Sequence, residues 1–388
     1  MSGLGFISGI KREIRRLTSR KIYLCAMAVV PIFICVFLLN ILHEGLPEHA
    51  PTAIVDLDHS SMSRSVSRSL KSLSLIDVNH EYDSYDNALA AVRRGEIFGF
   101  FIIPANFERD ALAQRKPTLE YYTNMTYFVP GSLSFKGFKT VAVTTSGGVV
   151  RETLLSAGVE PAQAAEFVQP VIIDQYPLNN PWMSYAVYLC PSFSICTLVL
   201  MIMLMTAFSI TTEIKDKTST QWLETAKGRL SVALLSKLLP HTIIFCSVAL
   251  FILYLLFGYS QFPLNGSLVW LIIATILTVI AAQAFAVFVV SIFPNPRLAL
   301  SVCSLFGILS FSLAGFSFPV QSMYGYLAIF SWSVPIKYWF LIYVNEALNG
   351  VALYYSRVYF VALLIFPLIA LTGLWNLKRA CVKPVYVP

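Results

Sequence analysis

EIKDKTSTQWLETAKGRLSVALLSKLLP, residues 213–240, is a charge-bearing interruption between two strongly apolar runs. One run reaches back to Trp182 without a charged residue, and the other extends from Leu238 to Phe257. The stretch therefore reads as a short loop joining two membrane spans, and its lysines place it on the cytoplasmic side.

Composition supports a membrane protein. Of 388 residues 56% are hydrophobic and only 13% charged, and the mean hydropathy is +0.68, more apolar surface than a soluble fold buries. The formal charge of +7 comes from basic residues beside apolar runs, which the positive-inside rule explains without nucleic acid. Cys25, Cys35, Cys190, Cys196, Cys246, Cys303 and Cys381 lie in or next to apolar segments and read as small buried groups. The scattered histidines form no metal-ligand spacing. No catalytic, cofactor-binding or metal site is expected.

Working outward to the N-terminus, residues 1–21 read as an amphipathic interface helix with Ile7, Ile10, Ile14 and Leu17 on one face and Lys11, Arg12, Arg15 and Arg16 on the other. The uncharged run 22–42 is long enough to cross a hydrocarbon core of about 30 Å. It exceeds a signal-peptide core and no small-residue cleavage site follows, so it reads as an uncleaved first span.

Residues 43–181 turn polar. Strands are expected at 52–58, 96–104 and 119–125, with helices at 60–73 and 85–95 between them, giving an extracytoplasmic α/β domain. Asp56, Asp58 and Ser60 read as turn and cap residues ahead of a helix. The Asn124 and Asn265 sequons carry no information unless the host glycosylates them. Proline and asparagine at 161–181 mark the return to the membrane, where Trp182, Tyr185 and Tyr188 suit an interfacial belt.

The membrane domain, 182–388, then holds spans at 182–212, 238–257, 268–293, 298–318 and 358–377, with the loop 213–240 between the second and third. Residues 319–357, broken at Pro335 and Gly350, suit short re-entrant helices. Gln283 reads as an interhelix hydrogen bond, and Lys337 and Arg357 as interfacial side chains snorkelling toward the headgroups, with Glu346 nearby. The spans show no polar interior. The fold class is a polytopic α-helical membrane protein, with six transmembrane helices, re-entrant helices before the last, an inserted α/β domain and both termini cytoplasmic.

Glu213, Thr218, Gln221, Leu223, Thr225 and the Ser236-Lys237 pair resemble the cytoplasmic loop of ABC-2 type exporter permeases. Ala314–Met323 (AGFSFPVQSM) with Val334-Pro335 is similar to that family's segment after its fifth span. The VDLD, SRSVSRSL and RRGE…FIIPANF stretches look like the outer domain of its long-looped, multidrug-efflux-like members. Lys217, Ala226 and Ser236 depart from the family's usual glycine, proline and glycine; all three are better helix residues, so the loop is expected to stay helical.

The resemblance implies a non-enzymatic permease subunit in a bacterial inner membrane, moving an apolar or amphipathic substrate outward with a separate ATPase that carries the ATP-Mg. The chain has no G-x-x-x-x-G-K-[ST] loop. Implied ATPase-coupling residues are Glu213, Thr218, Gln221, Trp222, Leu223 and Lys237, with Trp222 and Leu223 as apolar anchors; Ile7, Ile10 and Ile14 form an N-terminal interface, and Gly315, Phe318, Pro319, Met323 and Pro335 the re-entrant motif. Implied partners are the ATPase, a second identical or paralogous permease, the lipid bilayer, and a periplasmic adaptor with an outer-membrane channel. The alternatives are an envelope-assembly scaffold, or the same fold exporting sodium ions or polymers.

Overall fold

The computed structural model describes residues 3–43, 49–113, 115–168, 179–180, 184–316 and 318–384. Trp182, Pro177, Pro181 and Ser317, used in the sequence reading, lie outside them. The chain divides into two compact units, Met1–Gly45 with Pro177–Pro388, and Leu46–Tyr176.

The first unit is helical. Among the described residues six helices are long and apolar enough to cross a membrane: Lys21–Ile41, Tyr185–Lys215, Leu230–Tyr259, Leu268–Ile292, Pro296–Leu313 and Leu353–Val382. Between the last two, Gly325–Ser331 and Pro335–Asn349 form a pair bent by 90°, with Pro335 at the start of its helix, where a missing N–H costs nothing. The second and fourth spans lie inside the bundle, whereas the first, fifth and sixth bury less than a third of their most apolar stretch. Close packing is set by small residues: a Cβ on Gly373 of the sixth span would come within 1.9 Å of Ser291 Oγ on the fourth. Gln283 does accept an interhelix hydrogen bond, from Thr242 Oγ1 at 2.7 Å.

The loop 213–240 is shorter than expected. The second span continues to Lys215, a two-turn helix occupies Ser219–Thr225, and the third span starts at Leu230. Glu213 and Lys237 are thus helical residues of the spans. Apolar-run reading places a helix end at the first charge, but a charge that finds a buried partner need not end a helix. Lys217 also differs from expectation. Its φ is 57°, a left-handed conformation that favours glycine, so the lysine sits in a turn and its helix propensity is irrelevant there.

The second unit is a four-stranded sheet in the order β2-β1-β3-β4, built from β1 (Ala50–Asp56), β2 (Ile76–Glu81), β3 (Gly99–Ile103) and β4 (Glu120–Thr123). β1 runs parallel to β2 and β3, and β4 closes antiparallel on β3. Alternate side chains feed two layers. Ile54, Phe101 and Ile103 pack with Val66, Leu70 and Phe138 on one face, and Ala53, Val55, Phe100 and Ile102 with Ala88 and Ala91 on the other. Ser60 caps the helix Ser61–Lys71 by accepting from the Ser63 N–H, and Asp56 Oδ1 accepts from the N–H groups of Asp58 and His59, as the turn reading requires. Four elements were not anticipated, among them the short helices Phe107–Leu112 and Pro161–Val168. β2 buries only Ile76, so it shows no apolar run; and the 29-residue helix Phe128–Ser156 is rich in glycine, threonine and valine, which individually disfavour helix.

Candidate functional site

The helix Gly3–Ser19 packs against the start of the third span. The face it presents is narrow: Gly9, Glu13 and Leu17 are buried, whereas Ile7 and Ile14 are 52% and 48% exposed and Ile10 is half-buried. The expected N-terminal interface residues Ile7 and Ile14 therefore point away from the chain's own core. Glycine permits the approach, since a Cβ on Gly9 would lie 2.3 Å from Ser236 Oγ and one on Gly5 2.8 Å from the Thr225 carbonyl oxygen.

This close approach delivers Glu13 into a buried cluster of charges. Lys237 Nζ donates to Glu13 Oε2 at 2.6 Å and to Glu213 Oε1 at 3.0 Å. Glu13 Oε1 also accepts from Ser209 Oγ at 3.1 Å and lies 2.8 Å from His241 Nε2; a proton on Nε2 makes that contact a hydrogen bond. Glu213 is fully buried and receives Arg12 at 3.0 and 2.8 Å, as well as Arg16 Nη1 and the Thr218 hydroxyl. Burial by itself would raise the Glu13 pKa, but the His241 hydrogen bond and the Lys237 charge overcome it and hold the group at about 2.

The depth of the cluster explains why the membrane tolerates it. Glu213 lies roughly 40 Å along a helix that begins at Tyr185, beyond a hydrocarbon core of about 30 Å. The cluster therefore belongs to the headgroup level at the end of the bundle carrying the interface helix. The end of the sixth span joins the cluster, because Ser219 Oγ donates to the Cys381 carbonyl at 2.8 Å.

Of the six residues expected to couple to an ATPase, Glu213, Thr218 and Lys237 converge in the cluster, and Trp222 roofs it. The Trp222 ring is 1% exposed, lies 5.4 Å from Lys237 Nζ, and donates Nε1–H to the Ala233 carbonyl at 3.2 Å. Leu223 is also buried. The expectation that Trp222 and Leu223 stand out from the loop as anchors is thereby corrected: two large apolar groups on a two-turn helix fill the chain's own core, where burial is more favourable than exposure. Gln221 is exposed, together with Lys217 and Glu224. The cluster thus gathers four ionisable side chains from three helices, Glu13, Glu213, Lys237 and His241, at the headgroup end of the bundle.

Sequence reasoning missed Glu13 and His241. The signals were the four-residue spacing Gly5, Gly9, Glu13, Leu17, which marks one helix face, and the i, i+4 relation of Lys237 to His241.

At the other end of the expected site, Gly315 adopts φ 104° and would bring a Cβ within 3.1 Å of Val320, so glycine is needed at that turn. Phe318 is exposed, Met323 half-buried and Pro335 buried. Lys337, read as a snorkelling residue, is instead buried, with Nζ donating to Ser331 Oγ at 2.8 Å. Arg357 stacks on Tyr354 at 3.8 Å, and Glu346 is buried with no partner for Oε1 among the described residues. Among the described residues there is no group of side chains suited to hold a metal ion.

A family model described as ABC-2 family transporter protein matches residues 21–375. No curated protein matches the chain.

Proposed function

The chain belongs to the ABC-2 transporter family, and from that premise we propose that this permease exports an apolar or amphipathic substrate, driven by a separate ATP-hydrolysing subunit. The observation that carries the reading is the rigid mounting of the helix Ser219–Thr225. It is joined to two spans within a few residues, pinned at Trp222 and Ser219, and tied to the interface helix through the cluster around Lys237. A displacement applied to a short helix held in this way reaches the second, third and sixth spans, whereas a flexible loop would absorb it.

In this reading the ATPase meets the exposed face formed by Lys217, Gln221 and Glu224, while Trp222 and Leu223 shape that face from beneath. Glu213, Thr218 and Lys237 transmit rather than touch. The exposed Ile7 and Ile14 rest on headgroups beside Lys11 and Arg15. Both termini are cytoplasmic, the membrane is a bacterial inner membrane, two permease units enclose the path, and the α/β domain, as an extracytoplasmic domain, meets an adaptor leading to an outer-membrane channel.

The test is co-purification of the chain with an ABC ATPase and measurement of ATP hydrolysis in proteoliposomes. The permease is expected to stimulate hydrolysis, and Gln221→Arg with Glu224→Lys to reduce both association and stimulation while leaving the unfolding midpoint unchanged. Absence of any associated ATPase, or full stimulation by that variant, refutes the proposal.

A further inference from the structure

A cleft of about 490 Å³ opens in the α/β unit between the helices Ser61–Lys71, Phe107–Leu112 and Phe128–Ser156, a volume within the range of small-molecule sites. The sheet topology explains its place. Ser61 follows β1 and Glu108 follows β3, two neighbouring parallel strands. The chain leaves β1 for β2 through the helix Ser61–Lys71, and returns to β3 through the helix Tyr85–Arg94 on the opposite face. Strand order therefore reverses between β1 and β3. Loops that diverge at such a reversal leave a crevice outside the carboxyl ends of the strands, where open sheets of this kind take their ligands.

The polar lining accepts hydrogen bonds far more than it donates them. Ser61, Ser65 and Ser69 recur at four-residue spacing along one wall, with Thr144 on another. Ser61 Oγ donates to Glu108 Oε1 at 2.8 Å, Ser69 Oγ to the Ser65 carbonyl at 3.0 Å, and Thr144 Oγ1 to the Thr140 carbonyl at 3.0 Å. A hydroxyl has a single proton, so these three present only lone pairs to the cleft. Glu108 and Glu152 come from different helices and line the cleft as carboxylates. Neither forms an ion pair among the described residues, and no lysine or arginine is among the described lining. The unit as a whole agrees in sign, since residues 46–176 carry fifteen Asp and Glu against eleven Lys and Arg, within a chain of formal charge +7.

An accepting surface calls for a cationic donor, and its extent decides which kind. A metal ion needs oxygens converging on one point at about 2.3–2.6 Å, and among the described residues no group of side chains is suited to that. The serine row instead spreads its acceptors over about 12 Å of helix. Met62, Val66 and Val149 add an apolar floor. We propose that the cleft binds a linear oligoamine, with its ammonium groups on Glu108, Glu152 and the serine row and its methylene segments on the floor. This assignment concerns the α/β unit alone and is independent of what the permease transports and of the ATPase.

Spermidine is titrated into the full chain in detergent at low ionic strength, with binding followed by calorimetry. Wild type is expected to bind it saturably. Glu108→Gln and Glu152→Gln each weaken binding by about threefold, the effect of one partly exposed charge pair, and the double variant by about tenfold. Gly148→Trp tests the cleft itself. Gly148 lines it, and a Cβ there would meet nothing within 4 Å, so the indole has open space to occupy. Binding is lost in this variant while the unfolding midpoint stays at the wild-type value. Absence of saturable binding by wild type, binding that persists in Gly148→Trp, or unaltered affinity in the double variant overturns the assignment. So does calcium that displaces spermidine at equal concentration, the result expected of a simple cation site.

Discussion

Replacing Lys237 with methionine keeps most of the side-chain volume and removes the charge at the centre of the cluster. Glu213 still has Arg12, Arg16 and Thr218, but Glu13 keeps only His241 and Ser209 and becomes the stranded group. Breaking a buried ion pair from one side costs about 3–5 kcal/mol, whereas a neutral interhelix hydrogen bond in a membrane protein averages about 0.6 kcal/mol. The two outcomes are well separated. In Glu13→Gln the lysine retains Glu213, so the loss is smaller, about 1–3 kcal/mol. The double variant leaves no stranded charge, since Glu213 remains paired to two arginines, and it should be less destabilised than the sum of the single variants by about 2 kcal/mol. Equilibrium unfolding in mixed micelles measures all four proteins. Additivity within about 0.5 kcal/mol, or a Lys237→Met loss no larger than a neutral hydrogen bond, refutes the claim that the cluster holds the interface helix to the spans.

The same carboxylate predicts a pH dependence. Glu13 is held at about 2 against an ordinary 4.5, so its contribution is fully present above pH 4.5 and is lost as pH falls toward 2, a change of about 3 kcal/mol; unfolding midpoints taken between pH 6 and 3 should fall less steeply in Glu13→Gln, and parallel profiles contradict the assignment. Gly9→Val places side-chain atoms where Ser236 stands and should free the interface helix, seen as faster proteolysis within residues 3–19; unchanged protection would mean that the helix packs otherwise. Trp222→Ala with Leu223→Ala removes two buried side chains and should destabilise the chain by about 4 kcal/mol or more, so ATPase association in that variant falls together with the unfolding midpoint; lost association at an unchanged midpoint would restore these residues to the surface. Lys217→Gly relieves a left-handed lysine and should stabilise by about 1 kcal/mol, with a decrease in the midpoint as the contrary result.

The number of spans, the break before the last one and the inserted α/β domain were all legible in the chain, because each depends on local quantities. A run of about 20 apolar residues can only span or be buried, a change to mixed polarity must leave the bilayer, and proline at 335 starts a helix wherever it lies. Charge spacing made residues 213–240 a polar interruption, and family resemblance made its Glu213, Thr218 and Lys237 a functional group. Their purpose was not legible. A charged residue reads as solvent-facing unless its partner is known, and the partner of Lys237 is Glu13, 224 positions away. Pairing across that separation is a property of how three helices pack, permitted by Gly5 and Gly9, whose missing side chains give no signal in a hydropathy pattern. The reverse holds for Trp222 and Leu223, apolar groups on a polar stretch that looked like surface anchors until the fold showed the core they fill. Lys337 belongs to the same class, since only the tertiary structure shows that it is buried and, among the described residues, has no carboxylate partner. Local chemistry thus determined where the chain crosses the membrane, and packing decided which of its charges meet, because a Coulomb interaction depends on distance in space and on the burial around it.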